Sequence, residues 1–365
     1  MSIVGWINQR WSYAGVAVAA ALCILLVGQS PAAGQAGPAA KTVPAVSPII
    51  DAHVHFDQNV PDAAADAAVK ALTTENAVKV IVLVSPFRYE DPDRYEVEVL
   101  LKAAKKYPDK IGVIGGGGSL NAMIQQALQT GDAGPEVQKK FRARADEMFR
   151  EGVVAYGEMT TEHFPSANAP AYQYAPVDHP LYLLLDDIAA QHGLPIDLHM
   201  EAVPEDMPLP KGLKSPPDPP QLHGNIAAFE RLLSHNPRTI IVWAHAGTDN
   251  TGYRTPDLDR RLLRDHPNLY MEIKTDPVLH GANYPMDDAG KIKPEWLKLF
   301  QDFPDRFLLG SDQKYPEPAA GPQRWQTLVL LFNQLPPDLR RKIGMENALH
   351  VYDAKAHVAA TPAKP

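Results

Sequence analysis

From position 49 onward, short runs of β-branched and aliphatic residues alternate with longer stretches in which an apolar residue returns every third or fourth position. The first pattern is that of strands, the second that of helices packed by one face. Strands are predicted over 49–55, 78–84, 111–115, 153–158, 195–199, 240–245, 269–274 and 307–311, and helices over 63–72, 95–105, 136–149, 181–191, 226–233, 258–264 and 296–301. Strands that alternate with helices build right-handed βαβ units around a parallel sheet. Eight such units in roughly 300 residues predict an α/β fold of the (β/α)8 TIM barrel type with long loops. A doubly wound open sheet is the alternative, but no Gly-rich phosphate turn follows the first strand, where that fold would usually carry one.

Ahead of the first strand the pattern changes. Arg10 precedes an uncharged run over 12–28, small residues follow over 31–36, and a Pro/Ala stretch leads to Pro48. A basic start, an apolar middle and a small-residue exit describe a secretory signal peptide, and the run is also close to the ~20 residues that span a bilayer. Residues 1–36 are therefore expected to be a signal peptide or an uncleaved N-terminal anchor, 37–47 a linker, 48–353 the barrel and 354–365 a disordered tail. The expected location is outside the cytoplasm, periplasmic or secreted. The only cysteine, Cys23, lies in the apolar run behind Leu22, which disfavours a lipoprotein signal and removes disulfides and thiolate ligands from the globular part. A hydrophobic content of 45% supports a sizeable core, and a net charge of -8 gives no electrostatic pull toward nucleic acid or an anionic membrane surface. A small molecule is the expected partner, membrane contact is expected only through the N-terminal segment, and the oligomeric state stays open.

Candidate chemistry sits where strands end. Asp51-Ala52-His53-Val54-His55 closes the first strand. Residues i and i+2 of a strand share a face, so the two imidazoles converge on one point, an arrangement suited to a divalent cation. Glu158 ends the fourth strand, His199 the fifth and His245 the sixth, and Asp312 follows the eighth. All lie at carboxyl ends, the face on which barrel enzymes build their active sites. Each alone has a structural explanation; together they predict a metal site. Arg88 and Tyr89 after strand two, Lys274 at the end of strand seven and Lys314 after Asp312 are placed to ring the mouth. Arg88 and Lys274 are the candidate substrate contacts, suited to a carboxylate, with solvated loop charges as the plain alternative. Trp243, two residues before His245, is expected to share its inward face. His192, His235 and His266 sit at helix ends, where an imidazole complements the dipole. His223 and His280 fall in loops after strands five and seven, and Pro216-Pro217-Asp218-Pro219-Pro220 is a stiff loop and candidate lid.

In order along the chain, Asp51-Ala52-His53-Val54-His55, Tyr156-Gly157-Glu158-Met159, Asp197-Leu198-His199, Trp243-Ala244-His245-Ala246-Gly247 and Gly310-Ser311-Asp312 resemble the strand motifs of the amidohydrolase superfamily. The run from Pro294-Glu295-Trp296-Leu297 to Asp312 resembles its amidohydrolase-related branch, family 2. The resemblance covers nearly all of the chain after Pro48. It implies that His53, His55 and Asp312 bind one metal, that His199 and His245 bind a second when it is present, and that Glu158 bridges the two. Many binuclear members carry a carboxylated lysine on strand four, but 152–159 contains no lysine. Superfamily deaminases place a glutamate three residues after the strand-five histidine; Ala202 stands there, which argues against deamination. The Tyr-Gly-Glu-Met segment is similar to the Gly-Glu of TatD-like hydrolases and favours two metals. A mononuclear site of His53, His55, His199 and Asp312, with His245 and Glu158 behind it, satisfies the same residues.

Imidazole and carboxylate ligands suit zinc first, with manganese or iron as alternatives, and an open position would bind water and lower its pKa toward ~7. The expected activity is that of a metal-dependent hydrolase in which activated hydroxide attacks an amide, ester or lactone of a small molecule. Asp312 would move the proton, with His245 as the second catalytic group. A mononuclear, metal-dependent nonoxidative decarboxylase of a small carboxylic acid is the alternative. A non-catalytic metal- or ligand-binding protein on the same scaffold is the third reading. A TatD-like nuclease is disfavoured by the acidic charge and the absence of a basic or aromatic strip.

Overall fold

The computed structural model describes residues 45–84, 97–164, 172–211, 213, 219–276, 281–316 and 324–352. The expected signal peptide or anchor, residues 37–44 of the linker, Arg88, Tyr89, His280, residues 216–218 of the Pro-rich loop and the C-terminal tail lie outside the described residues. Among those described, no helix is long and apolar enough to cross a membrane.

All eight predicted strands form, as β1 (Ile49–Phe56), β2 (Ala77–Leu83), β3 (Ile111–Gly116), β4 (Ala155–His163), β5 (Ile196–Met200), β6 (Ile241–Ala246), β7 (Leu269–Ile273) and β8 (Phe307–Leu309), followed by a short β9 (Gln313–Tyr315). They lie in the order β8-β7-β6-β5-β4-β3-β2-β1-β9, and every neighbouring pair is parallel. β8 and β9 are two parts of one extended segment interrupted at residues 310–312. The first part pairs with β7, Phe307 opposite Met271, and the second with β1, Gln313 opposite Val54. Between them the Asp312 amide donates to the His53 carbonyl at 2.8 Å. The ring is thereby closed, and the fold is the (β/α)8 barrel.

The helices agree with the periodicity. α1 (Pro61–Glu75), α4 (Pro135–Glu151), α5 (Pro180–His192), α7 (Pro256–Asp265) and α8 (Pro294–Asp302) each open on a proline in the first turn, where its missing N–H costs nothing. α1, α4 and α5 stop at left-handed Asn76, Gly152 and Gly193. α2 (Val97–Ala104) and α6 (Ile226–His235) also match, and the structure adds α3 (Ser119–Thr130) and α9 (Arg324–Asn333).

Two apolar layers show which way each strand residue points. Ile50, Ala52, Leu83, Val242, Tyr270 and Leu308 cluster inside the barrel, whereas Ile49, Val54, Trp243, Met271 and Leu309 pack outward with helix residues such as Leu72, Phe229 and Phe300. Plain alternation therefore turns Glu272 inward on β7. On β5, where Ile196, Leu198 and Met200 belong to the outer layer, it turns Asp197 and His199 inward. On β1 it would not do so for His53 and His55, which share the parity of outward Ile49. The pairing of β1 with β2 shifts register between Asp51 and Val54, and this bulge brings the two histidines to the inner face. A similar shift between Tyr156 and Met159 serves Glu158 on β4. At the ends of β6 and β8, His245 (φ 67°) and Asp312 (φ 52°) adopt left-handed backbone, uncommon for residues with a Cβ.

That turn at His245 overturns the expectation for Trp243. The indole faces away from the barrel interior, edge-on to Phe229 with ring centroids 5.0 Å apart, and its N–H donates to the Met200 carbonyl at 2.8 Å. A left-handed residue breaks the two-residue alternation, so His245 and Trp243 part company.

Candidate metal centre

Five buried or nearly buried groups from four strands meet at the carboxyl end of the barrel. Glu158 is at their centre. Its Oε2 lies 3.9 Å from His53 Nε2 and 3.8 Å from His55 Nε2, and its Oε1 lies 2.6 Å from His199 Nδ1 and 3.4 Å from His245 Nε2. The imidazoles pack ring against ring, with centroids 5.1 Å apart for His53 and His55, 4.7 Å for His53 and His245, and 4.8 Å for His199 and His245. His55 Nδ1 lies 3.2 Å from the Leu83 carbonyl, so its Nε2 is the ring atom turned toward Glu158.

Asp312 joins from the interrupted eighth strand. Its Oδ1 lies 3.0 Å from His55 Nε2, and its Oδ2 is held by Lys274 Nζ at 2.6 Å and Arg324 Nη1 at 2.9 Å. Lys274 thus stands inside the site, 9% exposed, and not out on the rim. Behind the cluster, Asp51 accepts from Ser311 N at 2.8 Å and Ser311 Oγ at 2.5 Å, fixing the residue that precedes Asp312.

The electrostatics follow from burial and crowding. Burial alone would raise Glu158, but hydrogen bonds from His199 and His245 outweigh it and hold the carboxyl well below its usual range. For Asp312 burial is likewise outweighed, by Lys274, Arg324 and His55, so it stays ionised. His53 is pushed down to about 4 by burial. His245 is pushed up to about 9, because Glu158 and Glu272 overcome burial and Lys274. Burial raises Asp51 to about 7 against its bonds from Ser311.

Two further residues near the centre, Glu272 and His163, are not among the sequence-predicted site residues. Glu272, fully buried on β7, accepts from the His245 backbone N–H at 2.8 Å, and its Oε2 lies 3.3 Å from His245 Nδ1 and 3.7 Å from His53 Nδ1. A single charge inside the apolar run Leu269-Tyr270-Met271-Glu272-Ile273 was the available clue. His163 lies with its ring 4.8 Å from His199 because β4 runs five residues past Glu158. His223, by contrast, is a surface residue beside Asp206 and Tyr174, and Lys314 is exposed. His192, His235 and His266 lie at the ends of α5, α6 and α7 as expected; His192 also bonds Tyr156 Oη at 2.7 Å.

Among the described residues, both ring nitrogens of His53, Oε2 of Glu158, Nδ1 of His245 and Oε1 of Glu272 are buried without a hydrogen-bond partner. Buried polar atoms left without partners are costly. Three sets of ligand atoms, His53/His55/Glu158, Glu158/His199/His245 and His53/His245/Glu272, each fall within 4.8 Å of one another. Imidazole nitrogens beside ionised carboxylates are a donor set that fits a divalent cation.

A family model for amidohydrolases matches residues 50–354. The chain belongs to the amidohydrolase family. It is accordingly an enzyme of the metal-dependent amidohydrolase superfamily, in its family 2 branch. Among solved structures this amidohydrolase is similar to a 2,6-dihydroxybenzoate decarboxylase complexed with 2,6-dihydroxybenzoate, at 14% identity over 84% of this chain and 99% of the other with a TM-score of 0.48. It is also similar to 5-carboxyvanillate decarboxylase from Sphingomonas paucimobilis, at 11% identity over 84% and 98% with a TM-score of 0.43. A third similar structure comes from molecular engineering of organophosphate hydrolysis on a weak promiscuous lactonase template, at 16% identity over 87% and 99% with a TM-score of 0.44. No match is found among curated proteins.

Proposed function

We propose that this amidohydrolase hydrolyses an amide, ester or lactone bond of a small molecule and that it works with two divalent cations sharing Glu158. The observation that carries this reading is the division of that carboxylate, with Oε2 toward His53 and His55 and Oε1 toward His199 and His245. His53 and His55, with Asp312 beside them, would hold one ion, and His199 and His245 the other. Ions held there, zinc first, supply Lewis acidity to a carbonyl oxygen and acidify a water.

The chain's own groups supply the rest. Asp312, kept ionised by its two cationic neighbours, accepts the proton of the attacking water and returns it to the leaving group. His245 stands on the other side of Glu158 as the second catalytic group. A small space beside His199 and His245 is lined by Glu201, Thr248, Asp249 and Arg254. Lys274, already at Asp312, and Arg88, in the segment after β2, are the proposed contacts for a substrate carboxylate. Export is inferred from the apolar run over 12–28 and the small residues behind it.

Metal-stripped chain reloaded with zinc or manganese and assayed on a panel of lactones, esters and amides in heavy-oxygen water tests the reading. Two ions per chain, chelator-sensitive turnover and labelled oxygen in the carboxylate product are expected. One ion per chain, with carbon dioxide released from a carboxylic acid and no label taken up, would replace it with the decarboxylase.

A further inference from the structure

We propose that Glu272 is a positioning residue that fixes the tautomer and rotation of both His53 and His245, so that each turns Nε2 toward Glu158. The two imidazoles stand between two carboxylates. On one side Glu272 Oε2 lies 3.3 Å from His245 Nδ1 and 3.7 Å from His53 Nδ1; on the other, Glu158 lies 3.4 Å and 3.9 Å from the respective Nε2 atoms. An ionised carboxylate only accepts hydrogen bonds, so a neutral imidazole facing it carries its proton on the near nitrogen. For His53 the nearer of the two carboxylates is Glu272, which favours N–H at Nδ1; His245 keeps its Nδ1–H toward Glu272 when a cation on the Glu158 side takes the Nε2 lone pair.

Glu272 is itself held in place. Its Oε2 accepts from the His245 amide at 2.8 Å, its side chain is fully buried, and plain alternation along β7 aims it inward. The space it fills is made by Gly310 at the break in the eighth strand. A methyl group added there would overlap the Glu272 carboxylate. One residue on β7, accommodated by a glycine just past β8, thus orients ligands from β1 and β6. A carboxylate behind a metal-bound imidazole fixes its orientation and raises its basicity, and loss of such a partner typically weakens metal binding about 10–100-fold.

The inference rests on the reading that the cations sit on the Glu158 side of the rings. It is tested in the full chain with Glu272→Gln and, should that variant fold poorly, with Gly310→Ala, which keeps the carboxylate but displaces it. Nitrogen NMR of the metal-free chain at pH 7 reports the tautomer of His53 without any metal. The native chain is expected to show Nδ1–H, and the variants to shift toward Nε2–H. Competition with a chromophoric chelator, using zinc alone, is expected to show affinity about 10–100-fold weaker with the number of ions at saturation unchanged. An unchanged His53 tautomer with affinity within about twofold of native would make Glu272 passive filling. Loss of one ion per chain at saturation would make it a ligand; either result overturns the proposal. A native chain that binds no cation would sink the metal reading, while the His53 tautomer would still decide the role of Glu272.

Discussion

Nζ of Lys274 lies 2.6 Å from Oδ2 of Asp312. Lys274 is the leading favourable influence on that carboxylate once burial is set aside, ahead of Arg324 and His55. Replacing Lys274 by Met is therefore expected to raise the Asp312 pKa and move the acid limb of the pH–rate profile to higher pH. The loss in kcat/KM should be about tenfold or more near pH 6 and shrink toward pH 9. A uniform loss across that range would show that Lys274 acts only through binding.

Asp312→Asn separates proton transfer from metal binding. Asp312 approaches His55 but belongs to none of the three ligand sets that converge around Glu158 and Glu272. The variant should keep substantial metal by elemental analysis while turnover falls by about two to four orders of magnitude. Loss of a metal ion together with activity would reassign Asp312 as an indispensable ligand.

Strands were easy to read because β-branched runs bounded by polar turns recur eight times, and the order of polar residues at their carboxyl ends followed. The inward direction of those residues was harder. The bulge before His53 and the left-handed turns at His245 and Asp312 leave no mark in composition, and plain alternation therefore puts Trp243 on the inner face, where the structure does not have it. Glu272 escaped for a related reason. A charge in an apolar strand reads as an exception until the parity of the whole strand is known, and Tyr270 and Glu272 share the inner face. Arg324 opens a helix about fifty residues along the chain from Lys274, and both reach Asp312 in the folded chain, Lys274 from the end of the strand that pairs with β8.

His245 predicts how metal uptake depends on pH. Its pKa of about 9 reflects a proton held between Glu158 and Glu272, and a cation must expel that proton to bind. Zinc binding near pH 7 should release about one proton from this residue, and affinity should rise about tenfold per pH unit up to about pH 9. Calorimetry in buffers of different ionisation enthalpy measures the proton count. Affinity that is flat between pH 7 and 9 would contradict the assignment.

Asp51 and Ser311 make the closing of the barrel pH-sensitive. The folded pKa of Asp51, about 7, is raised above its ordinary 3.8, chiefly by burial and against the two bonds from Ser311. A raised folded pKa means a stabilising contribution that is complete below pH 3.8 and is lost as pH rises through about 7. Ser311→Ala removes the hydroxyl that donates to Oδ2 at 2.5 Å and leaves the amide that donates to Oδ1 at 2.8 Å. The carboxylate form loses most, because a bond to a charged acceptor is the stronger one. The variant should therefore lose about 1–3 kcal/mol at pH 8 and distinctly less at pH 6, where Asp51 is largely protonated. Urea unfolding of metal-free native and variant chains at the two pH values reads the difference. An equal loss at both would mean that Asp51 keeps one protonation state across that range and that its ionisation does not set the contribution of Ser311.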